Sequence, residues 1–236
     1  MQNATRSRLH RAVFLLYSEP GGGKVTVRQI VKAGGVPTNS LYYWYGDIDT
    51  LYRLAISDHI AALQGELSWS HDPALTVRAA LLDYARTCAA TFGSEAYQRL
   101  LYLVVRDGAA QPWLVKKHQA EIIDFVQANL GRVVARAGRA NGAPLEIRAS
   151  AGRAFVKRLQ GELALPMLMP GHKQPTRQET RLLTESLAAE AFAACYSSLQ
   201  VTDAIGRLST GRPVAPPSLP VPSRTAVDPL HPQSTH

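Results

Sequence analysis

Thr26-Val27-Arg28-Gln29-Ile30-Val31-Lys32-Ala33-Gly34-Gly35-Val36-Pro37-Thr38-Asn39-Ser40-Leu41-Tyr42-Tyr43-Trp44-Tyr45-Gly46-Asp47 is the stretch that decides the fold. Thr26 is suited to cap a short helix through Val27, Ile30, Val31 and Ala33, because its hydroxyl can take up a backbone N–H that the first turn leaves free. Gly34-Gly35 stops that helix, and the missing side chains suit a sharp reversal. A second short helix then begins near Pro37, whose ring fits a first turn. It carries Leu41, Tyr42 and Tyr45 and breaks near Gly46, after which Asp47 can cap a longer helix with Leu51, Leu54, Ala55, Asp58 and Ala62.

Upstream, Leu9, Ala12, Val13, Leu16 and Tyr17 recur at i, i+3, i+4, i+7 and i+8, the spacing of an amphipathic helix. Pro20 and Gly21-Gly22-Gly23 end it. One long helix, two short ones around a glycine turn, and a connecting helix make a helix-turn-helix. If Leu41 and Tyr45 pack inward on Val27, Ile30 and the first helix, then Thr38, Asn39, Tyr43 and Trp44 are left on the outward face. Short hydrogen-bonding groups and flat rings suit base edges and thymine methyls in a major groove. The helix starts at Thr26 and Pro37 also turn free N–H groups outward, where phosphates can sit.

The same segment closely resembles the DNA-binding motif of the TetR/AcrR family of transcription regulators. In that family a Thr-Val opens the second helix, an Ile-Ala pair packs it, an Ala-Gly-Val turn follows, and Leu-Tyr-x-x-Phe ends the third. Those places hold Thr26-Val27, Ile30-Val31, Gly34-Gly35-Val36 and Leu41-Tyr42-Tyr43-Trp44-Tyr45, over roughly the first 60 residues. The resemblance implies that Thr38, Asn39, Tyr43 and Trp44, with Ser40 beside them, read or line the groove, and that Thr26, Arg28 and Tyr42 contact phosphates. Two departures stand out. Ile48 occupies a place where the family usually has a lysine, and Pro37 replaces the usual small polar cap, so that Pro37 joins the DNA-facing set through its helix start.

At 236 residues the chain exceeds one domain of about 100 to 150 residues. Beyond Pro73 the pattern is helical throughout, with helices expected at about 74–92, 94–107, 111–138, 146–165 and 177–203. The expected fold is all-α: a helix-turn-helix DNA-binding domain over 1–60, and a helical bundle for ligand binding and dimerisation over 61–205. A disordered tail is expected over 206–236, where Pro213, Pro216, Pro217, Pro220, Pro222, Pro229 and Pro232 crowd a stretch with no aromatic residue.

Hydrophobic residues at 46% and charged residues at 19% give a globular balance, and no apolar run reaches the roughly 18 to 20 residues of a membrane span. The basic N-terminus is not followed by a signal-peptide core, so a cytoplasmic protein with no membrane partner is expected. Cys88 and Cys195 have no second thiol or histidine at ligand spacing and read as core residues. A net charge of +8 permits nucleic-acid or anionic-membrane binding without choosing between them.

Other motifs are weaker. Gly21-Gly22-Gly23-Lys24 lacks both the glycine that a phosphate loop needs at Ser18 and the hydroxyl it needs at Val25, so it reads as a connector. His10, His59, His71, His118, His172, His231 and His236 show no metal spacing, and no nucleophile motif is present, so neither metal, cofactor nor enzymatic activity is expected. In the bundle, Phe92, Tyr102, Trp113, Glu121, Phe125 and Phe155 are candidates to line an effector cavity, where aromatics with carboxylates favour a flat or cationic ligand; for each a plain core role competes.

The last two helices carry Leu183, Leu187, Ala191, Ala194 and Cys195 on one stripe, with small Ala188, Ala189 and Ala193 nearby. Family resemblance implies that they pair with a second copy in an isologous homodimer, and intramolecular packing is the alternative. The expected function is a repressor released from double-stranded operator DNA by a small-molecule effector. An activator, a ligand-independent regulator, an all-helical enzyme or a lipid-binding protein are the alternatives.

Overall fold

The structure is a computed structural model that describes residues 2–21, 24–69, 75–137, 145–169 and 171–209. Among these the helices run α1 Gln2–Tyr17, α2 Val27–Gly34, α3 Thr38–Tyr45, α4 Ile48–Leu67, α5 Val77–Phe92, α6 Glu95–Asp107, α7 Pro112–His118, α8 Asp124–Ala137, α9 Leu145–Leu159 and α10 Arg177–Ser209, with no strand. The all-α fold, with a helix-turn-helix at its head and a helical bundle behind, is as the sequence led us to expect.

Local chemistry explains the head. Thr26 and Gln29 form a reciprocal capping box: the Gln29 N–H donates to Thr26 Oγ1 at 3.3 Å, and the Thr26 N–H donates to Gln29 Oε1 at 2.8 Å. At its other end α2 closes on Gly35, which is left-handed at φ 63°. Gly34 is needed for a different reason. A Cβ there would stand 2.4 Å from Leu9 Cδ1, so only glycine lets α2 lie this close to α1. Pro37 is the cap of α3 rather than its first helical residue, at φ −65° and ψ 146°. Its carbonyl accepts from the Ser40 and Leu41 N–H groups, and it offers no side-chain acceptor to the first turn. Asp47 caps α4 as expected, accepting from the Thr50 N–H at 2.7 Å, and that bond holds its carboxyl below the usual range.

The long α4 joins the two units. It buries Leu51, Tyr52, Ala55, Ile56, Ile60, Leu63 and Leu67 along its length, so the division expected at residue 60 falls within one continuous helix. In the body α5, α6, α7 with α8, α9 and α10 occupy the five expected helical stretches. The sequence did not reveal two π-turns, Gln119–Ile123 between α7 and α8, and Gln160–Ala164 after α9. In each an i→i+5 bond, such as Leu165 N–H to Gln160 O at 2.8 Å, adds a residue and shifts which side chains face inward. α10 also continues to Ser209, past the expected end at 203. The disordered tail expected over 206–236 therefore does not begin at 206, since 206–209 belong to α10, and its remainder lies outside the described residues.

The stripe on α10 requires a correction. Leu183, Leu187, Ala188 and Ala191 are buried within the single chain, where α10 packs on α5 and α9. The intramolecular alternative therefore holds for Leu183, Leu187 and Ala191, while Ala194 is half-buried. The outer face of α10 carries Leu182, Ala189 and Ala193 instead. Cys88 is buried and its thiol is pushed up to about 12 by desolvation, so it is an inert core residue. The side chain of Cys195 lies outside the described residues.

Candidate nucleic-acid interface

The inner side of α3 is anchored by Leu41 and Tyr45, both buried, against the same core as Leu9, Val13 and Ile30. Tyr45 also packs on the His10 ring, 5.4 Å away, and His10 Nδ1 lies 2.5 Å from Asp58 Oδ2 on α4. These contacts fix the rotation of α3 about its own axis. As a consequence Thr38, Asn39 and Tyr43 all face solvent, and Tyr43 is 87% exposed. Ser40 is half-buried at the edge, and Tyr42 is exposed.

Trp44 does not stand on the outward face as the sequence spacing suggested. It is half-buried against the core, at an edge-on angle to Tyr45 with centroids 6.4 Å apart, and the Arg6 guanidinium lies 5.7 Å over its ring. The hundred-degree step from Tyr43 turns it toward α1, where a cation caps its face.

Thr26, Arg28 and Pro37 are exposed around α3. Residues 1–46 contain six cations, Arg6, Arg8, Arg11, Lys24, Arg28 and Lys32, against one acid, Glu19. All six are exposed, so much of the chain's positive balance lies in this unit. Arg8 has a positioning role as well, since its Nε donates to Gly34 O at 3.2 Å and ties the end of α2 to α1. Ile48, at the place where a lysine was expected, is half-buried against the core and offers no charge.

The six candidate effector residues each have contacts of their own among the described residues. Phe92 is buried against Tyr97 at 4.4 Å, and Phe155 is stacked on Tyr84 at 6.4 Å. Trp113 sits at the junction of the two units, edge-on to Tyr52 at 5.9 Å and under the Arg53 guanidinium at 4.7 Å. Glu121 pairs with Lys117 at 2.6 Å, Phe125 is half-buried against the core, and Tyr102 is half-buried on α6.

Sequence reasoning missed a buried polar chain beside Phe92. Gln160 Nε2 donates to the Tyr97 hydroxyl at 3.5 Å, and that hydroxyl lies 3.1 Å from His118 Nε2. Burial drives the His118 pKa down to about 4, so the imidazole is neutral at pH 7 and its Nε2 can accept the phenol proton. Gln160 begins one π-turn and His118 directly precedes the other. Positions 97, 118 and 160 share no sequence spacing that would have brought them together. Among the described residues no group of three or more His, Cys, Asp or Glu could hold a metal ion, and no helix is long and apolar enough to cross a membrane.

Comparison with known proteins agrees with this architecture. Residues 79–198, about half of the chain, match the family model for the AefR-like transcriptional repressor C-terminal domain. Among solved structures, a TetR-family regulator from Mesorhizobium loti superposes with a TM-score of 0.66 at 14% identity, covering 81% of this chain and 96% of its own. The flavonoid-responsive regulator FrrA superposes with a TM-score of 0.63 at 22% identity, over 82% of this chain and 97% of its own. A transcriptional regulator from Rhodococcus sp. Rha1 gives 0.61 at 16% identity, over 79% and 95%. No curated protein matches the chain. The solved structures share the fold, and the family model spans the body behind a helix-turn-helix head: the chain belongs to the TetR family of DNA-binding transcriptional regulators.

Proposed function

We propose that the protein is a homodimeric repressor that acts in the cytoplasm and is released from a palindromic operator by a small-molecule effector bound in its helical body. The observation that carries this reading is the α3 surface: Thr38, Asn39 and an almost fully exposed Tyr43 project from a helix whose other side is locked into the core. In this reading Thr38, Asn39 and Tyr43 meet base edges, with Ser40 and the half-buried Trp44 beside them. Thr26, Arg28, Tyr42 and the open first turn after Pro37 meet phosphates. Residues 1–60 act as the DNA-binding unit and 61–205 as the effector and dimer unit. No catalytic step is part of this function.

Release follows from differential binding. An effector that favours one arrangement of body and head shifts the population away from the spacing that fits two half-sites. The test is fluorescence anisotropy with the full-length protein, using DNA from upstream of its own gene against a shuffled duplex, over a series of salt concentrations. A specific complex whose affinity falls steeply with salt is expected, because phosphate contacts release counterions. Equal affinity for both duplexes at every salt concentration would exclude the reading.

A further inference from the structure

A cleft of about 370 Å³ lies at the seam between the head and the body. Ser18 and Pro20, after the end of α1, form one wall; Gln98 and Tyr102 of α6 form the floor. Met167, Leu168 and Met169, on and after the short 3-10 turn Pro166–Leu168, form the other wall. None of the buried Tyr97, His118 and Gln160 chain lines it. Its size falls within the about 300 to 1,000 Å³ of small-molecule sites.

We propose that this seam cleft is a small-molecule site for a flat, largely apolar molecule carrying an anionic group. The apolar part follows from the lining, where two thioethers and a leucine stand with the Tyr102 side chain and the flexible thioethers can adapt to a planar guest. Met169 is 67% exposed, an apolar group left to water at the mouth. The anionic part follows from Arg99, which lines the cleft together with its carboxylate partner Glu95. Among the described residues its ion pair is with Glu95 one turn back, which accepts from Nη2 at 2.8 Å and from Nε at 2.9 Å; the Arg99 side chain is 28% exposed and that of Glu95 73%. Water reaches the Glu95 side of the pair and screens it, so a ligand anion can replace that carboxylate on the guanidinium. Gln98 donates its amide to Gly93 O at 3.0 Å, and among the described residues its oxygen accepts no hydrogen bond.

Occupancy would be felt in the head. Tyr102 is shared between the cleft and a clasp: the Arg106 guanidinium lies 5.2 Å over its ring and donates to the Tyr17 carbonyl at the end of α1. A guest pressed on Tyr102 therefore acts on the group that ties α1 to α6. Binding at the cleft stands apart from the repressor reading, and only this coupling to DNA rests on it.

The experiment uses full-length protein and 8-anilinonaphthalene-1-sulfonate, a planar aromatic sulfonate, with no DNA present. Dye titration is followed by hydrogen–deuterium exchange with and without dye. Protection is expected over 95–106 and 165–169, and Met169→Glu is expected to weaken binding about tenfold, equivalent to about 1.4 kcal/mol, by placing a like charge at the mouth. Arg99→Gln is expected to weaken it too, with the melting temperature of both variants unchanged. No dye binding, protection confined to other segments, or wild-type affinity in both variants would overturn the proposal. Since no DNA is involved, such a failure leaves operator binding untouched, and failure to bind DNA leaves the cleft untouched.

Discussion

Arg106 on α6 donates a 2.9 Å hydrogen bond from Nη1 to the carbonyl oxygen of Tyr17, the last residue of α1. That carbonyl is one of the acceptors a helix end leaves without an intrahelical donor. The guanidinium is held for the task by two bonds to Asp107, at 2.6 and 2.7 Å. Removing it in Arg106→Ala should release the last turn of α1. The expected result is faster amide exchange over residues 14–18, with a loss of global stability of only about 1 kcal/mol because the group is partly exposed. Arg106→Lys should not restore protection, since a point charge cannot bind Asp107 at two sites and still reach Tyr17. Unchanged exchange in the alanine variant would show that the clasp does not hold α1.

Tyr43 and Leu41 lie on opposite sides of α3 and should behave in opposite ways. Tyr43→Ala is expected to leave the melting temperature unaltered and to weaken operator binding by about 1 to 3 kcal/mol, the range for one lost base contact. Leu41→Ala removes a fully buried side chain and should cost about 2 to 5 kcal/mol of stability. Anisotropy and thermal denaturation of the two variants separate these effects, and full operator affinity in Tyr43→Ala would remove that ring from the interface.

The outer face of α10 presents Leu182, which is 57% exposed, with the small Ala189 and Ala193 on the same side. Small residues let two helices approach closely, and an exposed leucine among them is a surface that a second copy would cover. Ala193→Arg should therefore convert a dimer to a monomer in light scattering after gel filtration, with the helical content unchanged. A variant that stays dimeric places the interface elsewhere.

His118 makes stability depend on pH in a direction that can be worked out. Its folded-state pKa, about 4, lies below the ordinary histidine value of 6.5, so the unfolded chain binds the proton more readily. The contribution is complete above about pH 6.5 and is lost as the pH falls toward 4, to the extent of about 3 kcal/mol. Chemical denaturation at pH 7.5 and pH 5 should show the loss, and His118→Gln should make it clearly shallower, the remainder coming from His59, which burial also holds below the ordinary value. An equally steep decline in the glutamine variant would assign the effect to other groups.

Much of the fold was legible because its signals are local. The helix stops at Gly35 and Gly46, the caps at Thr26 and Asp47, and the apolar spacing of α1 and α4 each depend on residues within a turn or two of one another. The outward placement of Thr38, Asn39 and Tyr43 follows from the same spacing once Leu41 is inside. Trp44 was misjudged because its surroundings are set by Arg6, a residue on another helix. The π-turns were invisible because an extra residue in a helical turn leaves the apolar pattern almost unchanged over a short window.

The sequence alone established an all-helical chain with a helix-turn-helix at its head and a ring-bearing short helix within it. Those features rest on backbone preferences and on the helical repeat, which act over a few residues. Tertiary structure alone decided which stripe of α10 turns inward, that Tyr97, His118 and Gln160 form one buried chain, and that Arg106 reaches Tyr17 across 89 positions. Such contacts are chosen by close packing and by the need to pair buried polar groups, and both depend on neighbours that the order of residues does not name.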